Sequence, residues 1–346
     1  MKIHAILTLT GSSQPEDALP ASDHPDHPYG TWEILGKSLV ERTLEHLKLA
    51  GISNSSTISE NGSHSYLFPS RAASTSNFVS TWEHTISKHL NEGAEFLLLI
   101  RIGPYVELDF ENLLLFHRET AGTLTQVYDQ SGALDIALVS ATALRNGTGT
   151  FRNRLSAAVP KHRRYMFSGY ASRLKQLGDF RRLTQDALLG RNGIKPFGRQ
   201  VSPGIWVAPD CRVDSSVNVV GPLYIGARSR IGAFCKINNA TAIERDCEVD
   251  CGTYVENSSI LAETSLGMGL QITNSIVLPG KLFRIDRNIE IDIKDRALIG
   301  RTFRFNALTN RFNALTNKRK TILPGRWLWR KKNSQPTAHV SASIHC

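Results

Sequence analysis

An aliphatic residue falls on every sixth position across more than fifty residues: Val207, Val213, Val219, Ile225, Ile231, Ile237, Ile243, Val249, Val255 and Leu261. Six is a multiple of the strand period of two and not of the helical 3.6, so all of these side chains point to one side of an extended chain. A second register lies four residues after each anchor and holds Cys211, Val217, Leu223, Ser229, Cys235, Thr241, Cys247, Thr253 and Ser259, mostly small. Aliphatic then small, both facing inward, describes a narrow solenoid. After Leu261 the pattern slips by one residue and resumes through Leu266, Ile272 and Leu278, which predicts one shortened turn.

The run resembles the hexapeptide repeat of left-handed parallel β-helices, in which three rungs make one triangular coil. Gly226 and Gly232, directly after their anchors, strengthen the match, whereas Asp214, Glu244, Asp250 and Glu256 at that place are looser.

The remaining chain is long enough for a second domain with its own core, since there are 346 residues in all. Met1–Thr10 (MKIHAILTLT) is apolar but interrupted by His4 and the threonines, and no small-residue cleavage site follows. It reads as a buried first strand rather than a signal peptide. The apolar run Phe96–Ile100 is far too short to span a bilayer, so a cytoplasmic protein is expected. Residues 1–190 alternate strand-like and helix-like segments, the pattern of an α/β layer. His4–Leu9 and Phe96–Ile102 read as strands. Lys37–Ala50 has apolar residues spaced for one helical face and is stopped by Gly51; Leu108–Glu119 begins a helix with Asp109 at the N-cap. Residues 191–204, dense in Gly and Pro, form a linker, 205–300 the solenoid, and 301–346 a basic, partly flexible tail. Beyond Lys281 the alternation Ile289, Ile291, Ile293 predicts one more strand, and RFNALTN then occurs twice in tandem at 304–310 and 311–317.

Cys211, Cys235, Cys247 and Cys251 all lie in the solenoid, and with three rungs per coil Cys211 and Cys247 stand two coils apart on one face, beyond disulfide reach. They are read as small buried hydrophobes rather than metal ligands, so no metal site is expected there. Cys346 is a tail thiol. The net charge of +10 is concentrated at Lys161–Arg164, Arg173–Arg182, Lys318–Lys320 and Arg330–Lys332. No aromatic-basic motif of a nucleic-acid fold accompanies these runs, so no nucleic-acid partner is expected. In Ile322–Lys332 (ILPGRWLWRKK) the tryptophans could rest at a membrane surface, but packing back onto the α/β domain is the stronger reading.

The order of an α/β nucleotide-binding domain and a hexapeptide solenoid resembles the sugar-nucleotide pyrophosphorylases, such as the mannose-1-phosphate guanylyltransferases. Gly36–Glu41 (GKSLVE) running into RTLEHLKLAGI is similar to the family's G-K-P-L-hydrophobic-E helix opening, and Leu98–His117 (LLIRIGPYVELDFENLLLFH) to its strand, metal-site turn and following helix. The resemblance implies an α/β nucleotidyltransferase-like, Rossmann-like domain followed by a left-handed parallel β-helix. It also implies attack of a sugar 1-phosphate on the α-phosphate of a nucleoside triphosphate.

That reaction needs backbone N–H groups around phosphate, cations, and a carboxylate holding Mg²⁺. The loop that should be rich in Gly reads Thr8-Leu9-Thr10-Gly11-Ser12-Ser13-Gln14. The Lys of the family's Pro-Lys pair is replaced by Tyr29 after Pro28, and the metal Asp by Pro104 after Gly103. Gly11, Ser12 and Ser13 remain the candidate phosphate ligands. Glu107 and Asp109 are the candidate replacement carboxylates, against a cap role for Asp109 and a solvated loop charge for Glu107. Mg²⁺ is expected only if the chain is catalytic. Acyltransferase chemistry, which many hexapeptide solenoids perform with a His base, is the weaker enzyme reading, because no His lies between His162 and His339. The expectation is a protein of sugar-nucleotide metabolism with weak or no catalysis and a regulatory or scaffold role. The alternative is an active divergent sugar-1-phosphate nucleotidyltransferase. A sugar phosphate or nucleotide sugar is the expected ligand, and self-association or pairing with an active relative the expected assembly.

Overall fold

The computed structural model describes residues 2–9, 32–59, 75–146, 148–302 and 341–343. They gather into two compact units: Met1–Trp32 with Ser38–Asp179, and Glu33–Lys37 with Phe180–Cys346. The RFNALTN tandem, the Ile322–Lys332 segment and Cys346 lie outside the described residues.

The first unit is an α/β layer. Its elements are β1 (Ile3–Leu9), α1 (Leu39–Leu49), β2 (Asn54–Ser59), α2 (Thr75–Asn91), β3 (Phe96–Ile102), α3 (Phe110–Glu119), β4 (Leu124–Asp129), β5 (Gly132–Ser140) and β6 (Arg163–Met166). They form a six-stranded sheet in the order β2-β1-β3-β5-β4-β6. β1 is parallel to β2 and β3, β5 is antiparallel to β3 and β4, and β6 is parallel to β4. A near-continuous apolar β3 (FLLLIRI) is what a strand covered on both faces requires. Beneath α2, Ile6, Ile58, Ile86, Leu90, Leu97 and Val139 form one buried cluster. The helix predicted over Lys37–Ala50 starts two residues later. Ser38 caps it, its Oγ accepting from Glu41 N at 3.2 Å while the Glu41 carboxylate accepts from Ser38 N at 2.7 Å. This reciprocal capping box satisfies two otherwise orphaned donors and fixes the start.

In the second unit the chain visits three sheets in rotation. One contains Ile205–Val207, Leu223–Ile225, Thr241–Ile243, Ser259–Ile260 and Ser275–Leu278, all parallel. The second contains Arg212–Val213, Arg230–Ile231, Glu248–Val249 and Thr264–Leu266; the third contains Asn218–Val220, Lys236–Asn238, Tyr254–Glu256 and Gln271–Thr273. Partners are one circuit apart, as in Val213↔Ile231↔Val249 and Val219↔Ile237↔Val255. Nine of the ten anchors, Val207 to Val255, belong to one buried cluster, and the small register from Val217 to Ser259 is buried among them. The four described cysteines are free thiols, two of them fully enclosed in this interior.

The slip expected after Leu261 occurs before it. Ile260, not Leu261, stands opposite Ile243, and a second slip puts Val277, not Leu278, opposite Ile260. Both Ile260 and Val277 belong to the buried cluster. Each slip shortens one circuit by a residue, and two adjacent apolar residues in each pair left the pattern unable to choose.

Left-handed residues turn the corners in columns: Asp210, Arg228, Asp246 and Glu263 in one, Ala240, Asn257 and Asn274 in another. Along the first column Arg228 donates bidentately to Asp246, at 2.7 and 2.6 Å. Gly226 is required by proximity, since a Cβ there would lie 2.4 Å from the backbone carbon of Glu244 in the next circuit. Antiparallel strands flank the first ladder, Arg199–Ser202 against Ile205–Val207 at one end and Lys281–Arg284 with Ile289–Asp292 at the other, and Ile299–Arg301 pairs with Thr264–Leu266 at the end of the second. Unpaired strand edges invite association; these strands cover both ends of the first ladder and the last strand of the second, while Arg212–Val213 and Gln271–Thr273 stay at sheet edges among the described residues.

Segment Glu33–Lys37 is held within this unit. Leu35 and Gly36 have positive φ of 53° and 87°, the geometry of a tight hairpin turn. Their amides donate to the two carboxylate oxygens of Glu244 at 2.7 and 2.8 Å, and Glu33 accepts from Arg245. The Arg181 guanidinium, buried with its pKa pushed down to about 9 by desolvation, donates to Ala240 O, Asn257 O and Oδ1, and Ser259 Oγ along the second corner column.

Candidate functional site

Open α/β sheets bind ligands beyond the carboxyl ends of their parallel strands. β1 and β3 run parallel and in register, with Leu9 opposite Ile102, so their carboxyl ends lie side by side. The residues after Leu9, including the candidates Gly11, Ser12 and Ser13, lie outside the described residues, as do Pro28 and Tyr29. The turn after β3 is described, and it carries the remaining candidates.

Gly103 and Pro104 bend the chain out of β3, and Tyr105–Val106 then pairs antiparallel with Ala171–Ser172. Glu107 N donates to Tyr170 O at 3.0 Å, and the Tyr105 hydroxyl donates to Glu107 Oε1 at 3.0 Å. Burial, the Glu107 charge and this hydrogen bond all push the Tyr105 phenol well above its ordinary range, so it remains a donor at neutral pH. The Tyr105 and Tyr170 rings meet edge to face with centroids 6.2 Å apart.

Asp109 is the N-cap of α3. Its Oδ1 accepts from Glu111 N at 2.9 Å and Asn112 N at 3.2 Å, and its Oδ2 from Asn112 Nδ2 at 2.7 Å. From α1, His46 packs against Phe110 with ring centroids 5.1 Å apart. Burial lowers its pKa, and the carboxylates of Glu107 and Asp109 only partly offset that. Arg42 lies one helical turn earlier, and its charge favours the ionised form of Tyr105. Arg42, His46, Tyr105 and Tyr170 were not among the sequence candidates. The signal that could have found two of them is the i,i+4 spacing of Arg42 and His46, which places both on one face of α1.

One cation, one neutral imidazole, a phenol and a carboxylate can hydrogen-bond a phosphorylated sugar. They do not fit Mg²⁺. That ion needs carboxylate oxygens free to enter an octahedral shell. The Asp109 oxygens are engaged by three N–H donors, Glu107 already accepts from Tyr105, and Pro104 has no side-chain donor. Replacing Asp109 by Ala is expected to destabilise the protein by about 1 kcal/mol, the ordinary effect of losing a cap, with Asp109→Asn close to wild type. Thermal denaturation checks this; an Asp109→Ala variant with an unchanged melting temperature would contradict the cap role.

The chain is similar to a UTP--glucose-1-phosphate uridylyltransferase from Synechocystis sp., 28% identical over 102 residues. That stretch is 29% of this chain and 26% of the relative, so the match spans about a quarter of the relative's length. No family model matches the chain. The similarity supports a relationship to sugar-nucleotide metabolism. Among the described residues, no helix is long and apolar enough to cross a membrane.

Proposed function

We propose that this chain binds a sugar phosphate or nucleotide sugar in the manner of a sugar-1-phosphate nucleotidyltransferase, with little or no turnover, and acts as a regulatory or scaffold subunit in the cytoplasm. The observation that carries this reading is the turn after β3: Pro104 occupies the place of the expected metal carboxylate, and Asp109 is committed to capping α3. The partial likeness to a uridylyltransferase supports the ligand class. The three-sheet unit, in this reading, is a left-handed parallel β-helix; its one-circuit register and its corner columns of left-handed residues support that assignment. It pairs the chain with a second copy or with an active relative.

The test is pyrophosphate release over a panel of sugar 1-phosphates and nucleoside triphosphates with Mg²⁺, run beside calorimetric titration with the corresponding nucleotide sugars. The expected result is binding of a nucleotide sugar with turnover at background. Pro104→Asp is expected to stay at background, because a single carboxylate does not supply the missing phosphate-loop glycines or the missing Lys. Robust Mg²⁺-dependent release by the unmodified chain would refute the non-catalytic reading and move Glu107 to the front.

A further inference from the structure

At the opposite, N-terminal end of β1, far from any role in the turn just described, two buried histidines face each other. His4 projects from β1 beside the cluster under α2, and His89 from the last turn of α2; they are 1% and 2% exposed. Their Nδ1 atoms are 2.9 Å apart, and Glu92 Oε2 lies 3.8 Å from His4 Nδ1 and 3.7 Å from His89 Nδ1. Donor atoms of one tetrahedral shell with bonds of about 2.0 Å stand about 3.3 Å apart, and the three edges bracket that spacing, so a few tenths of an ångström of adjustment lets all three atoms share one ion.

The surroundings complete what a metal site needs. Each ring is held by its far nitrogen: His4 Nε2 is 3.0 Å from Asn54 Nδ2 and His89 Nε2 is 2.9 Å from Ser56 Oγ, both on the neighbouring strand β2. Partners of this kind fix the orientation and tautomer of ligating histidines. Glu92, with its side chain 43% exposed, opens the site to solvent and supplies a negative charge. The C-terminal end of α2 adds the partial negative charge of its last carbonyls.

We propose that His4, His89 and Glu92 form a binding site for a divalent transition metal, of the zinc class, with a water completing a tetrahedral shell. Imidazole and carboxylate donors with no thiolate select this class of ion. Without metal, one ring carries its proton on Nδ1 and donates it to the other ring. On loading, that proton is replaced by one on Nε2 of the same ring, so no net proton is released. Asn54 turns its amide over to accept from His4 Nε2–H through Oδ1, while His89 Nε2–H donates to Ser56 Oγ. The ion then ties β1 to the end of α2, two elements 85 residues apart in sequence.

The full chain, stripped with a chelator, is titrated with ZnCl₂ by calorimetry and with Co²⁺ by absorption spectroscopy. The expected result is one equivalent bound, a rise in melting temperature with zinc, and a Co²⁺ spectrum without thiolate charge-transfer bands. Glu92→Gln, at a partly exposed position, should keep the fold by circular dichroism and lose zinc affinity at least tenfold; His89→Gln should abolish binding. Should His89→Gln fail to fold, Glu92→Gln decides alone. No stoichiometric zinc binding, binding unchanged in Glu92→Gln, or thiolate bands with Co²⁺ would each overturn the proposal.

Discussion

Ile231→Asp is expected to prevent the three-sheet unit from folding. Ile231 is 3% exposed and stacked between Val213 of the circuit before and Val249 of the circuit after. The substitution removes a fully buried aliphatic side chain, a loss of about 1.5–3 kcal/mol. It also places a carboxylate among aliphatic neighbours, where an unpaired charge adds several kcal/mol or forces protonation. The sum is a large part of the roughly 5–15 kcal/mol that separates folded from unfolded states. Ile231→Val, which leaves only a methyl-sized gap, should cost about 0.5–1.5 kcal/mol. Urea denaturation followed by circular dichroism measures both. An Ile231→Asp protein that unfolds at the parent's midpoint would mean that the inward register is assigned wrongly.

Glu244→Ala is expected to cost about 2–6 kcal/mol, because it strips the acceptors from two backbone amides at once, each worth about 1–3 kcal/mol when left buried and unpaired. Glu244 is 1% exposed, and its two oxygens take the amides of Leu35 and Gly36. The turn cannot easily move to find others: Gly36 is so enclosed that a Cβ there would lie 2.3 Å from the Tyr224 hydroxyl and 2.8 Å from Phe197 Cβ. Glu244→Gln retains one acceptor oxygen and presents an NH₂ to the second amide, so it should fall between wild type and Ala. Melting temperature gives the size of the effect, and faster hydrogen exchange at the Leu35 and Gly36 amides locates it. Unchanged exchange at those two amides in the Ala variant would show that the carboxylate does not hold the turn.

The two variants mark the division between what could be read along the chain and what could not. Ile231 was legible because the period is short and local: each six-residue rung repeats the same strand and corner, so ten aliphatic residues in phase mark one inward face. The Asp109 cap was legible for the same reason, since a cap is formed with its own next three residues. Glu244 was not. It stands at the place held by Gly226 and Gly232 in earlier circuits and read as a weaker match to the repeat, yet its partners are more than two hundred residues away. The choice of Ile260 over Leu261 was equally closed to the pattern, because both are apolar and only pairing with Ile243 across the circuit selects one. His4 looked like an interruption in an apolar strand until the fold set it against His89. Periodicity and capping are set by neighbours along the chain, so sequence alone determined the inward face from Val207 to Val255 and the Asp109 cap; the placing of the slips, a carboxylate on distant amides and two facing imidazoles exist only once tertiary packing has brought separate segments together.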